Sequence, residues 1–320
     1  MNENSKIFVV GHTGLLGSAI LKKLKYQGYT NLITKTHKEL DLTNFSEVEK
    51  FFKKIRPEYV FLSAGLTGGI LANKTYPTMF LQTNLGIQNA VFSSAHKYKV
   101  KNLMFYASSC VYPKYSPQPI KEDYLLTGKL EEISEYYAIA KIAGIKACKA
   151  YNTQYKKNTF IVLIPNSTFG PNDNFDPDNS HVISALIRKF YEAKIKKQKE
   201  ITIWGSGKAR REFIFSEDVA DASIFIMNNT TRLENIHYNV GMGIDYSIHE
   251  LADITSKIIG YKGKILWDKT KPDGVPRKLL DSTKIRELGW KPSTSLENGI
   301  KIAYEWYIKN SASAIRQSVG

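Results

Sequence analysis

The sequence predicts an α/β protein, a doubly wound parallel sheet with a smaller C-terminal α/β region. Three observations carry this expectation. Short apolar, β-branched runs alternate with helix-period segments through the first half, and a glycine-rich turn joins the first run to its helix. After Pro165 the alternation gives way to shorter, less regular strand signals.

Residues 6–10, 32–36, 59–63, 103–107 and 160–165 read as buried strands, each followed by a helical pattern. Parallel neighbours need right-handed crossovers, so helices are expected on both faces of the sheet. Such a sheet takes its ligand at the carboxyl ends of its strands, where the residues after each run should carry function. Further on, residues 170–178 (GPNDNFDPD) read as a loop, 182–193 as a helix and 194–199 as a basic connection. Strand signals at 201–204 and 237–240 are interleaved with helices that Ser216 and Ser247 are placed to cap. The last helix, 296–309, presents Ile300, Ala303 and Tyr307 on one face. The expected division is residues 1–165 for the first domain, with segments at about 208–240 returning to it, and 166–320 for the smaller region.

Composition narrows the function classes. With 42% hydrophobic residues and 23% charged in 320, a core can offset the entropy of ordering, which excludes a disordered chain. Two cysteines, Cys110 and Cys148, make no disulfide framework, and neither belongs to a zinc-type cluster, so no metal is expected. The polar residues 1–6 precede only four apolar ones, and no run approaches the ~20 residues of a bilayer span. A soluble, cytoplasmic protein with no membrane partner is expected. The formal charge of +15 attracts nucleic acid or small anions alike. No nucleic-acid recognition motif or dense basic stripe is present, so nucleic acid is not expected as a partner, and much of the surplus reads as solvated lysine.

Directly after the first strand comes Gly11-His12-Thr13-Gly14-Leu15-Leu16-Gly17. Glycines there allow a tight turn, approach of the backbone to a pyrophosphate, and packing of the helix on the strand. The helix N-terminus then offers free N–H groups to phosphate, so the first domain is expected to be a Rossmann-type dinucleotide-binding sheet. The second strand ends in Lys35-Thr36-His37-Lys38 with no acid until Glu39 and Asp41, which favours NADPH over NADH unless Asp41 turns inward.

Tyr137 is followed four residues later by Lys141, on the same helical face, and it is the only tyrosine of the chain with that spacing. An ammonium fixed beside a phenol lowers its pKa and can reach a cofactor ribose. Ala138, Ala140, Ala143, Gly144 and Ala147 make that helix fit for close packing. The fourth strand runs out into Ala107-Ser108-Ser109-Cys110, where a ligand is expected. Together Ser108, Tyr137 and Lys141 supply what hydride transfer to a ketone needs: a polariser, a proton donor and a tuner.

The glycine turn, SSCVYPK at 108–114, YAIAKIAGIK at 137–146, NSHVI at 179–183, WGSG at 204–207, REF at 211–213 and KPDGVPRKLLD at 271–281 resemble the GDP-L-fucose synthase family. That family belongs to the extended short-chain dehydrogenase/reductases, and the similarity spans nearly the whole chain. It acts on a GDP-4-keto-6-deoxy-mannose, epimerising C3 and C5 and then reducing C4 with NADPH. The resemblance implies reductase roles for Ser108, Tyr137 and Lys141, and epimerisation roles for Cys110 and His181. A thiol and an imidazole titrate near enough to neutrality to exchange the acidic protons flanking a ketone.

For NADPH/NADP+ the resemblance implies contacts from the glycine turn, Lys35, His37, Lys38, Asp41, Leu42, Ser63, Ala64, Asn84, Ala107, Tyr137, Lys141, Pro165, Asn166, Thr168 and His181. For the sugar nucleotide it implies Ser109, Cys110, Ser167, Val182, Leu186, Lys189, Trp204, Arg211 and Lys278. Arg211 and Lys278 suit a diphosphate, and Trp204 offers an aromatic face. It also implies a homodimer through helices matching residues 77–97 and 134–156.

Departures from the family pattern cluster where sugar and nicotinamide should meet. Thr13 and His37 replace cations, Lys189 replaces an Arg, Gly65-Leu66-Thr67 replaces Ala-Lys-Val, and Pro165-Asn166-Ser167-Thr168-Phe169-Gly170 replaces Pro-Thr-Asn-Leu-Tyr-Gly. They point to a related GDP-4-keto sugar such as a heptose, with reduction alone as the alternative to reduction plus epimerisation.

Overall fold

The computed structural model describes residues 1–176, 180–233, 237–271 and 273–310. The end of the loop read at 170–178, Asn179 of the NSHVI motif, Pro272 and the final ten residues of the 166–320 region lie outside the described residues.

The first half runs β1 (Ile7–Val10), α1 (Leu15–Tyr26), β2 (Leu32–Ile33), α2 (Phe45–Ile55), β3 (Tyr59–Leu62), α3 (Ile70–Thr75), α4 (Pro77–Lys97), β4 (Asn102–Tyr106), α5 (Glu135–Tyr155) and β5 (Phe160–Pro165). The second half adds β6 (Ser167–Phe169), α6 (Val182–Ile195), β7 (Glu200–Trp204), β8 (Arg210–Phe215), α7 (Ser216–Asn228), β9 (His237–Val240), β10 (Asp245–Ser247) and α8 (Ile248–Ile259). It closes with β11 (Lys264–Asp268), β12 (Arg277–Lys278), α9 (Thr283–Glu287) and α10 (Leu296–Asn310).

Six strands form one parallel sheet in the order β2-β1-β3-β4-β5-β9. Alternation along each strand feeds two cores. Phe8, Val10, Val60, Leu103, Phe105 and Val162 face α2, α4 and α5, while Ile7, Val9, Phe61, Met104 and Leu163 face α1 and α7. The small residues of α5 are used as expected. A β-carbon at Gly144 would lie 2.6 Å from the Phe105 ring and 2.8 Å from Gln88, so glycine lets α5 press onto β4 and α4.

The run at 32–36 is extended only over Leu32–Ile33. β2 is an edge strand, and the Thr36 amide and hydroxyl both donate to Glu39 (2.8 Å) rather than to a neighbouring strand. Past β5 the chain builds a second lobe around β8, flanked by β10, β12 and β6, with β7 and β11 paired apart. Leu186, Phe190, Phe215, Leu251, Ile300 and Tyr307 form its core between α6, α8 and α10. The chain then returns through α7 and β9 to the first sheet.

Ser247 caps α8 in a reciprocal box with Glu250. Ser216 differs from expectation. It is the first residue of α7, caps nothing, and its buried hydroxyl lies where a β-carbon at Gly170 would fall.

Candidate active site

The chain passes from β1 to β2 on one side and returns to β3 on the other, so a crevice opens at the carboxyl ends of β1 and β3. Gly11, at φ +78°, meets Ala64 there, and a β-carbon on it would lie 2.9 Å from the Ala64 amide nitrogen. A β-carbon at Gly17 would fall 2.1 Å from the Gly11 carbonyl oxygen, so helix and turn close on each other only because both residues are glycine. Ser63 fastens the crevice by donating its hydroxyl to the Val10 carbonyl. Gly14 precedes α1 without a side-chain cap and the first turn carries no acid, which leaves its N–H groups for an anion. His12 adds a buried Nδ1 with no partner among the described residues. Leu15 and Leu16 begin α1, Leu16 against the core, while Leu42 packs from the loop after β2. These residues fit a dinucleotide pyrophosphate.

The adenosine end is less committed. Lys35 pairs with Glu39 at 2.9 Å, an exposed pair of small energetic weight. His37 and Lys38 are exposed. Asp41 accepts from the Thr43 amide and hydroxyl, bonds that hold its carboxyl below the usual range and occupy it in a local turn. Thr13 adds no cation.

Across the sheet, α5 carries Tyr137 and Lys141 to the end of β4. Lys141, 5% exposed, donates to the Tyr106 carbonyl at 3.0 Å, with its Nζ 5.6 Å from the Tyr137 ring centre. Burial brings its ammonium down to about 8. Asn84 approaches from α4, donating to Leu66 and Phe80 carbonyls, and a β-carbon at Gly65 would contact both Asn84 and Lys141. Tyr137 packs edge-on against Phe80. The expected lowering of its pKa does not occur: burial, and then the facing Cys110 thiol, push the phenol above its ordinary value.

After β4, Ala107 bonds back to β5 and Ser108 begins a single helical turn holding Ser109 and Cys110. Burial raises the Cys110 thiol, against which Lys278, a hydrogen bond with Ser108, and Lys141 all pull downward. Ser108, Cys110, Tyr137, Lys141 and Lys278 are thus one electrostatic cluster.

Arg211 and Lys278 are register neighbours on β8 and β12. Among the described residues neither forms an ion pair with a carboxylate. Burial lowers both, and Arg211 lowers Lys278 further, so two half-buried cations lie side by side with Asp273 near Arg211 and Glu131 near both, none of them in ion-pair contact. An anion between them would relieve both costs, as a diphosphate does. Glu131, paired with Lys114 at 3.1 Å, lies within electrostatic reach of both.

Other expected ligand residues are placed differently. His181, half exposed at the head of α6, faces Asp173 at 3.8 Å, and hydrogen bonding to that carboxylate raises its pKa. No hydrogen bond or ion pair links it to Cys110 or Tyr137 among the described residues. Leu186 is 3% exposed and belongs to the core of the second lobe, with Val182 packed at its edge. Lys189 donates to the Thr202 carbonyl, and exposed Trp204 has Lys271 over its ring at 5.3 Å. Thr168 donates to the Asn166 carbonyl, and Pro165 ends β5 opposite Val240. Asn166 spends its whole side chain on protein: Oδ1 accepts from Ser109 Oγ and the Ser167 amide, and Nδ2 donates to Glu212 and the Lys278 carbonyl. Asp173, Glu131 and Glu212 were not singled out from sequence; only Glu212, a lone acid beside Arg211 on an apolar strand, carried a readable signal there.

A family model described as NAD dependent epimerase/dehydratase family matches residues 7–241. The chain is 51% identical to GDP-L-fucose synthase 1 of Arabidopsis thaliana over 309 residues, 97% of this chain and 95% of the relative. Among solved structures it resembles a GDP-6-OMe-4-keto-L-xylo-heptose reductase from C. jejuni, with TM-score 0.92 and 40% identity over 97% of this chain and 99% of that one. A GDP-mannoheptose C4 reductase from Campylobacter jejuni with NADP bound follows at TM-score 0.88 and 41% identity, covering 96% and 99%. With a glycine cradle at the switch point, a Ser-Tyr-Lys set beside it and these relatives over nearly its full length, the chain belongs to the NAD dependent epimerase/dehydratase family, among the GDP-L-fucose synthases and their kin.

Proposed function

We propose that this protein reduces the C4 ketone of a GDP-4-keto sugar, a 6-deoxyhexose or a heptose, with NADPH, and exchanges the protons at C3 and C5 through Cys110 and His181. One observation carries it: the Ser108–Cys110–Tyr137–Lys141 cluster is bordered by two half-buried cations, Arg211 and Lys278, that form no ion pair among the described residues. A ketone site and a diphosphate site therefore adjoin. The two solved relatives named above act on GDP-heptoses, and the Arabidopsis relative is a GDP-L-fucose synthase.

Bound NADPH supplies the hydride. The protein's own groups do the rest. Ser108 donates a hydrogen bond to the ketone oxygen, and Tyr137, whose burial keeps the phenol protonated, hands that oxygen its proton as negative charge develops. Lys141, held by the Tyr106 carbonyl, stabilises the phenolate left behind. For epimerisation, Cys110 takes a proton as a thiolate, a form that burial opposes and that Lys278 and Ser108 partly restore, while Asp173 favours imidazolium at His181, suited to return one. Arg211 and Lys278 hold the diphosphate.

The second reading, reduction without epimerisation, is favoured by the names of the two solved relatives, both given as reductases. Incubating the protein with GDP-4-keto-6-deoxyhexose and GDP-4-keto-heptose in deuterated water, without NADPH, separates the two. Deuterium at C3 and C5 supports epimerisation, and its absence alongside NADPH-dependent reduction supports reductase alone. Oxidation of NADPH by neither sugar would overturn both.

The proposed assembly is a homodimer through α4 and α5, which expose Met79, Tyr136 and Ile139. The proposed compartment is the cytoplasm. Among the described residues no helix is long and apolar enough to cross a membrane.

A further inference from the structure

Glu212 is 0% exposed and has no ion-pair partner among the described residues, yet every bond it makes is one only an acceptor can make. Its Oε2 accepts from Asn166 Nδ2 at 2.5 Å and from the Leu280 amide at 3.0 Å, and its Oε1 accepts from the Gly243 amide at 2.6 Å. The chain is folded tightly around it: a β-carbon at Gly241 would lie 2.4 Å from Oε1. Burying a carboxylate costs free energy that three donors only partly return, so this arrangement needs a reason.

The partners supply one. Asn166 turns its amide toward Glu212 and its carbonyl oxygen toward Ser109 Oγ, at 3.1 Å. All four of its hydrogen-bonding positions are filled, which fixes which way round the amide sits. Ser109 lies between Ser108 and Cys110, Glu212 follows Arg211, and Leu280 lies two residues past Lys278. A single buried relay, Ser109 to Asn166 to Glu212, therefore joins the turn carrying Ser108 and Cys110 to the strands carrying both cations. It crosses from the first sheet to the second lobe at the point where the two must agree.

We propose that Asn166 and Glu212 are positioning residues that set the separation between the Ser108–Cys110 turn and the Arg211–Lys278 pair. Given the proposed function, that separation places the ketone and its flanking carbons correctly once the diphosphate is held. Neither residue touches the sugar through the relay; each acts through Ser109 and the β8 and β12 backbones. Misplacement by about 1 Å is enough to cost on the order of a hundredfold in rate.

The test compares wild type with Asn166→Ala and Ser109→Ala, the latter removing one hydroxyl and leaving the Asn166–Glu212 bond in place. The first readout needs no substrate. Iodoacetamide labelling at Cys110 is followed by peptide mass spectrometry, with Cys148, 0% exposed in the first core, reporting on general loosening. At least tenfold faster labelling of Cys110 with Cys148 unchanged supports the relay. The second readout is kinetic: kcat with the GDP-4-keto sugar falls about tenfold or more in both variants, while in Ser109→Ala NADPH affinity, measured by fluorescence, stays within twofold. Cys110 labelling within twofold of wild type in both variants, or acceleration of both cysteines together, overturns the proposal. Failure of the wild type to reduce any GDP-4-keto sugar would instead overturn the proposed function and leave the labelling result standing.

Discussion

Tyr137 and Lys141 lie one turn apart on α5, yet the ammonium does not bring the phenol down. Both groups are desolvated, and burial raises the tyrosine while lowering the lysine. For reduction this is serviceable, because the phenol must arrive protonated. His181 is governed the other way, by a neighbour. Asp173 favours the charged imidazole, so the stability from that pair is present below the ordinary histidine pKa and is lost as pH rises through the raised one. Asp173→Asn therefore moves the His181 titration to lower pH, read from imidazole proton shifts by NMR. The alkaline limb of C3/C5 exchange, where the imidazolium is lost, should move to lower pH with it. An unmoved titration would show that Asp173 does not set the His181 charge. Spacing made Tyr137 and Lys141 legible, and family motifs made Cys110 and His181 so. Asp173 was illegible, since a loop acid eight residues before a histidine has no periodic relation to it.

At the scale of elements, buried strands were the most readable parts, because a run covered on both faces must be apolar throughout. β10 and β12, of three and two residues, were not readable; they exist only because β8 offers them edges. Ser216 failed as a cap for a similar reason. Its neighbours from Gly170 close over the hydroxyl, a fact of packing and not of local sequence. The glycine turn was legible and makes a sharp prediction. Gly17→Ala forces a methyl against the Gly11 carbonyl, so α1 must move off the turn, at a cost of about 1–3 kcal/mol. NADPH titration by fluorescence should show at least tenfold weaker binding, with thermal unfolding at lower temperature. Unchanged affinity would mean that the cradle does not hold the pyrophosphate.

For the molecule as a whole, the +15 charge resolves into local roles only in part. Among the described residues Arg211 and Lys278 form no ion pair, with Asp273 and Glu131 acting on them only at longer range, whereas Lys22, Lys23, Lys97 and Lys101 sit in surface ion pairs that contribute little. The outward faces of α4 and α5 are unlike that surface: Met79, Tyr136 and Ile139 are each more than 40% exposed. Light scattering should give a mass near twice 36.3 kDa, and Ile139→Asp should shift it toward one chain. A wild-type mass of one chain would refute the dimer. The break in pattern after Pro165 falls where the chain leaves the six-stranded sheet for β6, which pairs with β8. The buried relay between lobes was not legible, because Ser109, Asn166, Glu212 and Leu280 are far apart in sequence and meet only when both lobes are built.

The central claim is that Tyr137 gives the ketone oxygen its proton, and Tyr137→Phe tests it with the loss of a single hydroxyl. Measured by NADPH oxidation with whichever GDP-4-keto sugar the wild type reduces, kcat should fall at least about a hundredfold. NADPH binding and folding should stay near wild type. Near-normal turnover by that variant would contradict the claim.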